Sequence, residues 1–266
     1  MRILITGAAG TIGRSLRATL RQPGRTLRLF DVAPMAEAEG PLEEVVPGDL
    51  RSPEQVRAAV AGCDAVVHLA GIPVEDTFER ILETNIVGTR TLLEACRTEG
   101  CRRVVFASSN HAIGFFPVPP QGGPVAMEEA ARPDTNYGFS KASGELLCRL
   151  YFDRFGIEAC CIRIGTFGER PQAPRQLRTL ITPRDLAQLV ERALGAPDLG
   201  FLVVAGQSGN RERWWAEGPA AGLGYAPQDD AWDLADDALR AQAAETERFS
   251  GGPYPEAPLG VPMHRS

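Results

Sequence analysis

The sequence predicts a doubly wound α/β fold, in which a parallel sheet is covered by helices on both faces. Over the first 165 residues, short apolar runs rich in β-branched residues alternate with longer helical patterns, which is typical of such folds. A glycine-rich turn joins the first predicted strand to the first predicted helix. Because 266 residues suffice for one principal core, we expect a single compact unit, in which a small C-terminal portion, residues 166–266, packs on residues 1–165.

Seven strands and five helices are predicted, and two of the helices carry a capping signal. Ser52 precedes Pro53 and Thr182 precedes Pro183, so each pair supplies a side-chain cap and a proline suited to the first helical position. The strands are predicted at Arg2 to Thr6, Thr26 to Asp31, Glu43 to Val46, Ala65 to Leu69, Arg103 to Ala107, Glu158 to Ile164 and Phe201 to Ala205. The helices are predicted at Ile12 to Arg21, Pro53 to Ala61, Thr77 to Thr98, Tyr137 to Phe155 and onward from Pro183.

Composition excludes several classes of protein. The 28 basic and 34 acidic residues give a net charge of −6, and no basic run is long enough to track a phosphate backbone, so nucleic acid is not an expected partner. No apolar stretch approaches the roughly 20 residues of a membrane span, and no signal peptide precedes the first strand, so we expect a cytoplasmic protein. The six cysteines form neither a CxxC pair nor a metal-ligand spacing with histidine. They are interpreted as reduced packing residues, and no metal site is expected.

The turn after the first strand has the sequence GAAGTIG and opens directly into an amphipathic helix. Glycine is needed there because the turn is tight, the backbone must approach a pyrophosphate closely, and the helix must pack on the strand. The helix N-terminus then offers amide donors and a partial positive charge to the phosphates. The residues predicted to hold a dinucleotide here are Gly7, Gly10, Thr11, Ile12 and Gly13.

The acidic residue Asp31 ends the second strand, 18 residues beyond Gly13. A carboxylate at that position accepts hydrogen bonds from both ribose hydroxyls and repels the additional phosphate of NADP, so the predicted cofactor is NAD. Further strand ends at the same sheet edge supply small, apolar and acidic residues suited to the adenine and its ribose. These predicted cofactor residues are Asp49, Leu50, Leu69, Ala70 and Gly71.

Tyr137 and Lys141 are spaced i, i+4 on one predicted helix, which places both side chains on the same face. A tyrosine hydroxyl with a pKa near 10 is a poor base at pH 7, and lowering that pKa by ~3 units takes about 4 kcal/mol of preferential phenolate stabilisation. A nearby ammonium group in a partly desolvated cleft can supply this stabilisation. Tyr137 is therefore the predicted catalytic base and Lys141 its electrostatic partner.

Two serines follow the buried strand that ends at Ala107. Ser109 is predicted to hydrogen-bond the reacting oxygen, a role that needs a small group able both to donate and to accept. Ser108 is assigned to local backbone or cofactor groups. The three predicted catalytic residues are thus Ser109, Tyr137 and Lys141.

The motifs GAAGTIG, HLAG, ASSN, YGFSK and IRIG, together with Asp31 and Asn85, resemble those of the extended short-chain dehydrogenase/reductase family over about the first 165 residues. The resemblance implies a Rossmann fold with a Ser-Tyr-Lys active site. It further implies that Tyr137 and Lys141 contact the cofactor, with Lys141 on the nicotinamide ribose. Asn85 would serve at the cofactor site as a structural and proton-relay residue.

The substrate is expected to be small and polar, because only 125 residues follow Lys141 and several of them belong to a predicted strand and helix. Arg170, Arg175 and Arg178 crowd one loop, and an arginine fork is the preferred partner of a carboxylate. Any one of the three could fill that role on the residues alone. Further along the chain, Trp214 and Trp215 are interpreted as packing or interface residues.

Within the family, the chain resembles the members that oxidise galacturonate or glucuronate at C1 to the aldarolactone with NAD. That resemblance implies that Arg175 holds the substrate carboxylate and that Tyr137 removes the anomeric proton. The implied substrate contacts are Ser109, Asn110, His111, Tyr137, Thr166 and Arg175. Thr166 stands where these members have Ser, and Pro73 also stands where a substrate-contacting Ser is expected, which would cost one hydrogen bond.

Two other functions are kept open. The chain could be another small-sugar dehydrogenase or an epimerase of the same family, or a non-catalytic NAD-sensing protein, since fold alone does not fix function. The intact Ser109, Tyr137 and Lys141 argue against the sensor. The resemblance also implies a homo-oligomer.

Overall fold

The structure is a computed structural model that describes residues 1–118, 130–216, 218–244 and 247–263. Seven strands form one parallel sheet, and two very short strands pair separately. The strands are β1 (Arg2–Thr6), β2 (Thr26–Asp31), β3 (Glu43–Pro47), β4 (Ala65–His68), β5 (Arg103–Ser109), β6 (Glu158–Ile164), β7 (Thr166–Phe167), β8 (Leu180–Ile181) and β9 (Phe201–Gly206). The large sheet has the order β3-β2-β1-β4-β5-β6-β9, and β7 pairs with β8.

Helices cover both faces of the large sheet. The helices are α1 (Thr11–Leu20), α2 (Pro53–Val60), α3 (Phe78–Ile81), α4 (Gly88–Glu99), α5 (Asn136–Phe155), α6 (Gln176–Thr179), α7 (Pro183–Gly195), α8 (Ala231–Leu234) and α9 (Asp237–Ala241). A π-helical segment (Leu82–Val87) joins α3 to α4, and short 3₁₀ turns lie at Asn110–Ile113, Gly218–Leu223 and Tyr254–Glu256.

The core divides into two layers because side chains along each strand alternate between the faces of the sheet. On one face, Ile3 and Ile5 of β1 pack in a cluster that includes Leu16 of α1 and Leu189 of α7. On the other face, Leu4 packs in a cluster with residues of α2, α4 and α5. The predicted doubly wound parallel α/β fold is therefore confirmed.

The chain crosses from one half of the sheet to the other at β1. After β1 it builds β2 and β3 on one side, and β4 then returns to the opposite side of β1. Helices therefore leave β1 and β4 in opposite directions, which opens a crevice at the carboxyl ends of these strands. The glycine turn follows β1 directly, so it lies at this crevice.

The predicted strand and helix bounds agree closely with the structure, with three exceptions. The short helix α6 (Gln176–Thr179) lies in a segment predicted as a loop. The segment predicted as one helix from Thr77 to Thr98 is interrupted by the π-helical turn at Leu82–Val87. The small β7–β8 pair was not predicted, because two-residue strands leave no periodic pattern.

The expected packing role of the cysteines is confirmed, since all six are buried free thiols. No helix in the described parts of the chain is both long and apolar enough to cross a bilayer. Among the same residues, no group of three or more His, Cys, Asp or Glu side chains is arranged to hold a metal ion.

Candidate active site

A cleft of about 930 Å³ runs along the carboxyl edge of the sheet, from the glycine turn to the C-terminal segment around Tyr254. Its lining brings together almost every residue singled out from the sequence. The predicted residues that line it are Gly7, Gly10, Thr11, Ile12, Gly13, Asp31, Asp49, Leu50, Leu69, Ala70, Gly71, Ser108, Ser109, Asn110, His111, Tyr137, Lys141, Thr166 and Arg175. Asn85 lies behind the wall, and Pro73 is part of the lining.

The turn after β1 leaves no room for side chains. Gly7 has φ of +72°, and a Cβ on it would lie 2.7 Å from the backbone nitrogen of Ala70. A Cβ on Gly13 would lie 2.4 Å from the carbonyl oxygen of Gly7. The N-cap of α1 is Gly10, so no side chain competes with a ligand for the first helical amides.

The carboxylate of Asp31 is held at the edge of the cleft by two backbone amides. One oxygen accepts from the N–H of Ala9 and the other from the N–H of Ala33, each at 2.9 Å. Asp49 is paired instead with the guanidinium of Arg51 at 2.7 Å, and this hydrogen-bonded partner lowers the pKa of the Asp49 carboxyl. Asp31 is thus oriented by backbone donors, whereas Asp49 is committed to a neighbouring cation.

Lys141 lies on α5 one turn beyond Tyr137, and both are buried. Its ammonium donates a 2.8 Å hydrogen bond to the carbonyl of Ala107 and lies 5.6 Å from the centroid of the Tyr137 ring. Burial lowers the pKa of Lys141 to about 8, against a smaller opposing effect of the Glu145 carboxylate. The cation therefore sits beside the phenol in a desolvated site, where its field on the hydroxyl is strong.

The β5 serines have different partners. The Ser109 hydroxyl accepts a 3.2 Å hydrogen bond from the N–H of His111 and caps the 3₁₀ turn that begins at Asn110. The Ser108 hydroxyl donates to the Glu145 carboxylate. That carboxylate is also bound by the buried guanidinium of Arg163 at 2.8 Å. The Ser108 hydroxyl is therefore already engaged in a network below the cleft floor.

Asn85 lies in the π-helical turn and links the loop after β4 to α5. Its amide exchanges hydrogen bonds with the backbone of Ile72, accepting at 2.8 Å and donating at 3.0 Å. It also donates to the Ser140 hydroxyl at 3.0 Å, which in turn donates to the carbonyl of Tyr137 at 2.7 Å. These contacts give Asn85 a structural connection to the catalytic helix.

Arg175 is a partly buried cation in the lining of the cleft. Its guanidinium donates to the carbonyl of Ser250 at 2.7 Å and lies 5.6 Å from the ring centroid of Trp214. Burial lowers the pKa of this arginine. Its Nε has no hydrogen-bond partner among the described residues. Arg175 lines the cleft, and a guanidinium group at such a wall is suited to bind a carboxylate.

Neither of the other two loop arginines is among the described residues that line the cleft. Arg170 is exposed to solvent. Arg178 pairs with Glu212 at 3.0 Å and donates to the carbonyl of Ala243 at 2.6 Å. Of the three candidates left open by the sequence, the structure brings Arg175 to the site.

The remaining predicted substrate residues are also engaged in local contacts. Asn110 donates to the same Ser250 carbonyl as Arg175, at 3.1 Å. His111 is hydrogen-bonded through Nδ1 to Asp134 at 2.8 Å. Thr166 shares a 3.1 Å hydrogen bond with Thr179. Trp214 and Trp215 are buried in a packing cluster, as predicted.

Sequence reasoning missed four residues of this site. Glu75 accepts a hydrogen bond from the N–H of Tyr137, and Asp134 is hydrogen-bonded to His111. The carbonyl of Ser250 accepts from Arg175 and Asn110. Tyr254 packs on His111 with ring centroids 4.2 Å apart. The two carboxylates stand in segments without a periodic pattern. The other two lie in the Gly- and Pro-rich C-terminal segment, which carries no local signal for a position in space.

Comparisons with known proteins agree with this geometry. Residues 3–215 match the model of the NAD dependent epimerase/dehydratase family. The chain is 43% identical over 257 residues, 95% of either sequence, to uronate dehydrogenase from Pseudomonas putida. It is similar to a crystal structure of uronate dehydrogenase from Agrobacterium tumefaciens, with a TM-score of 0.88, 42% identity and 98% of each chain covered. A mutant of that enzyme complexed with NAD gives a TM-score of 0.87 at 43% identity, with 97% of each chain covered.

Proposed function

The chain belongs to the NAD dependent epimerase/dehydratase family, and we propose that it is a uronate dehydrogenase, which oxidises galacturonate or glucuronate at C1 to the aldarolactone with NAD. The observation that carries the proposal is that Arg175 lines the same cleft as Ser109, Tyr137 and Lys141. Relatives at 43% identity or above over most of the chain are uronate dehydrogenases.

The residues at the glycine turn fit NAD. The N-cap of α1 is Gly10, which has no side chain and lines the cleft, so a pyrophosphate can approach the amides at the start of α1. The oriented Asp31 carboxylate suits the adenosine ribose hydroxyls and disfavours a phosphate on them. NAD bound there supplies a nicotinamide ring that accepts hydride from the carbon being oxidised.

Tyr137 acts on the proton of the anomeric hydroxyl. Its phenol is buried beside the ammonium of Lys141, which favours the phenolate over the neutral hydroxyl. The phenolate takes the proton as general base, and Ser109 orients the same oxygen. The carbonyl of Ala107 holds the ammonium in place by its 2.8 Å hydrogen bond.

Arg175 orients the sugar from its far end. Its guanidinium can donate to a uronate carboxylate, because Arg175 lines the cleft, while the Ser250 carbonyl accepts from one of its terminal nitrogens. Asn110, His111 and Thr166 contact hydroxyl groups between that carboxylate and C1. Binding energy at the carboxylate is thereby used to position the reacting carbon.

A panel assay that follows NADH formation tests the proposal. We expect NADH with galacturonate and glucuronate, and much less with galactose and glucose at equal concentration. An epimerase recycles its cofactor and would give no net NADH, and a sensor would give none with any sugar. NADH from the neutral sugars at the same efficiency would contradict the uronate assignment.

The proposal includes association of two copies of the chain through an apolar face of α5. Phe139, Leu146 and Leu150 lie on one face of that helix with 45%, 70% and 51% of their surfaces exposed. Phe78 continues this face onto α3, with its ring centroid 6.4 Å from that of Phe139. Apolar patches of this kind mark protein interfaces.

Light scattering on purified protein tests the association. Leu146→Glu combined with Leu150→Glu is expected to give a monomer, while Leu234→Glu, on the separate helix α8, leaves the oligomer intact. A wild-type monomer at micromolar concentration would contradict it.

The cytoplasmic location expected from the sequence is also part of the proposal, and cell fractionation tests it.

A further inference from the structure

His111 and Asp134 form a hydrogen-bonded pair at the wall of the cleft. The Nδ1 of His111 lies 2.8 Å from one carboxylate oxygen of Asp134. The other oxygen accepts a 3.0 Å hydrogen bond from the Thr135 hydroxyl. The Asp134 side chain is fully buried, whereas the imidazole keeps 13% of its surface exposed and lines the cleft.

Three glycines shape the space around this carboxylate. A Cβ on Gly114 or on Gly251 would lie 1.9 Å from one oxygen of Asp134, and a Cβ on Gly138 would lie 2.9 Å from the other. The backbone on all three sides therefore closes tightly on the carboxylate. The carboxylate has little freedom to turn away from the imidazole.

The imidazole is held on its other sides by aromatic rings. Its centroid lies 4.2 Å from that of Tyr254 and 5.8 Å from that of Tyr137, the latter in an edge-on arrangement. With Nδ1 directed at Asp134, Nε2 on the opposite side of the ring is the nitrogen left for a ligand in the cleft.

We propose that Asp134 is a positioning residue that holds neutral His111 as its Nδ1–H tautomer, so that Nε2 accepts a hydrogen bond from a sugar hydroxyl. An ionised carboxylate can only accept hydrogen bonds, so the proton of the pair must lie on Nδ1. Nε2 then carries a lone pair. This acceptor complements Arg175, which can only donate, and it selects ligands that present a hydroxyl at this position. That the ligand is a uronate rests on the proposed function.

The tautomer can be measured directly in protein labelled with ¹⁵N-histidine, without turnover. The chain has only three histidines, and a His111→Gln variant identifies the His111 signals. In spectra recorded at alkaline pH, we expect wild-type His111 with its proton on Nδ1. In Asp134→Asn, whose amide can also donate, a substantial fraction of His111 is expected to shift to the Nε2–H form.

His68 is an internal control for this spectrum. It is fully buried between the hydroxyls of Thr6 and Thr89, and burial lowers its pKa to about 3, so its signals should be the same in both proteins. A wild-type His111 with its proton on Nε2, or with both nitrogens protonated, would overturn the proposal. An unchanged His111 spectrum in a folded Asp134→Asn variant would also overturn it. If that variant does not fold, the position of the proton in the wild-type spectrum decides the question.

Kinetics on a series of deoxy uronates tests the consequence for the ligand. In wild type, loss of one particular hydroxyl is expected to raise KM about tenfold, the size of one hydrogen bond. That penalty should fall to about twofold or less in Asp134→Asn and in His111→Gln, while penalties at the other hydroxyls remain.

Asp185→Asn is the matched control, because Asp185 is equally buried and accepts backbone hydrogen bonds from Gln228 and Asp229 away from the cleft. It should keep the wild-type pattern of deoxy penalties. An unchanged pattern in Asp134→Asn would contradict the positioning role. The two tests also separate the claims: the expected tautomer with no uronate oxidation would sink the proposed function and leave the role of Asp134 standing.

Discussion

The backbone N–H of Tyr137 donates a 3.0 Å hydrogen bond to the carboxylate of Glu75, and Glu75 is fully buried. The second oxygen of the same carboxylate accepts from the N–H of Gly260 at 2.8 Å, and the carbonyl of Glu75 accepts from the N–H of Met263. One carboxylate thus ties the start of the catalytic helix to the C-terminal segment and to the loop that contains Pro73.

Glu75→Gln should weaken this connection, because an amide offers only one acceptor oxygen where two buried N–H groups need one each. Leaving a buried donor unsatisfied costs about 1–3 kcal/mol, which lowers Tm by several degrees in a protein of this size. Differential scanning calorimetry and kcat measure the effect, and we expect kcat to fall because the position of Tyr137 loosens. Glu83→Gln, at an exposed site, is the control, and equal Tm values for the two variants would contradict this role of Glu75.

Lys141 gives stability a specific pH dependence in the cofactor-free protein. Its pKa is lowered from 10.5 to about 8 by burial, so between these values the unfolded chain binds a proton that the folded chain has lost. Stability of the wild type should therefore rise as pH increases from about 8 to 10.5, by about 3 kcal/mol from this group. Below pH 8 the contribution is constant.

The variant Lys141→Met is expected to lack this contribution. In urea unfolding at several pH values, the free energy of unfolding of wild type should gain on that of the variant across the window from 8 to 10.5. Parallel curves for the two proteins would show that the pKa of Lys141 is not lowered in the folded state.

Arg175→Ala should separate acidic from neutral sugars. Loss of a charge-assisted hydrogen bond costs about 1.5–3 kcal/mol, so KM for galacturonate is expected to rise by about 10- to 150-fold. Activity on galactose should change far less. Arg170→Ala, at an exposed position of the same loop, is the matched control, and an equal loss on both sugars in Arg175→Ala would rule out carboxylate recognition by this residue.

Asp31→Ser should relax the choice of cofactor. Removal of the carboxylate takes away acceptors for the ribose hydroxyls and the repulsion of a phosphate, so KM for NAD is expected to rise about tenfold or more while NADP becomes usable. Steady-state kinetics with each cofactor measure the ratio. Asp153→Asn, a half-exposed carboxylate on α5, should keep the wild-type ratio, and a wild-type ratio in Asp31→Ser would contradict the role of Asp31.

Local patterns predicted most of the fold and the cofactor end of the cleft. The apolar runs of β1 and β6 have bounds identical to those predicted, and the glycine turn lies where a strand meets a helix. The π-helical turn at Leu82–Val87 was not predictable, because its residues continue the same helical pattern as α3 and α4.

The substrate end depends on contacts between residues far apart in the chain. Glu75 meets Gly260 across 185 residues, and Asn110 meets Ser250 across 140. No spacing rule connects such pairs, since packing of the C-terminal segment on the sheet edge brings them together. For the same reason the sequence offered three arginines, and the fold was needed to bring Arg175 to the cleft.

Deuterium at C1 of galacturonate tests the central claim most directly. If the site oxidises C1, the enzyme should transfer the label to the nicotinamide, and the amount of deuterated NADH should equal the amount of lactone formed. Tyr137→Phe should lower the rate about 10²- to 10⁴-fold, as expected for loss of a general base. Mass spectrometry of the reduced cofactor is the measurement. Unlabelled NADH from this substrate, which would mean that hydride leaves a carbon other than C1, would contradict the account.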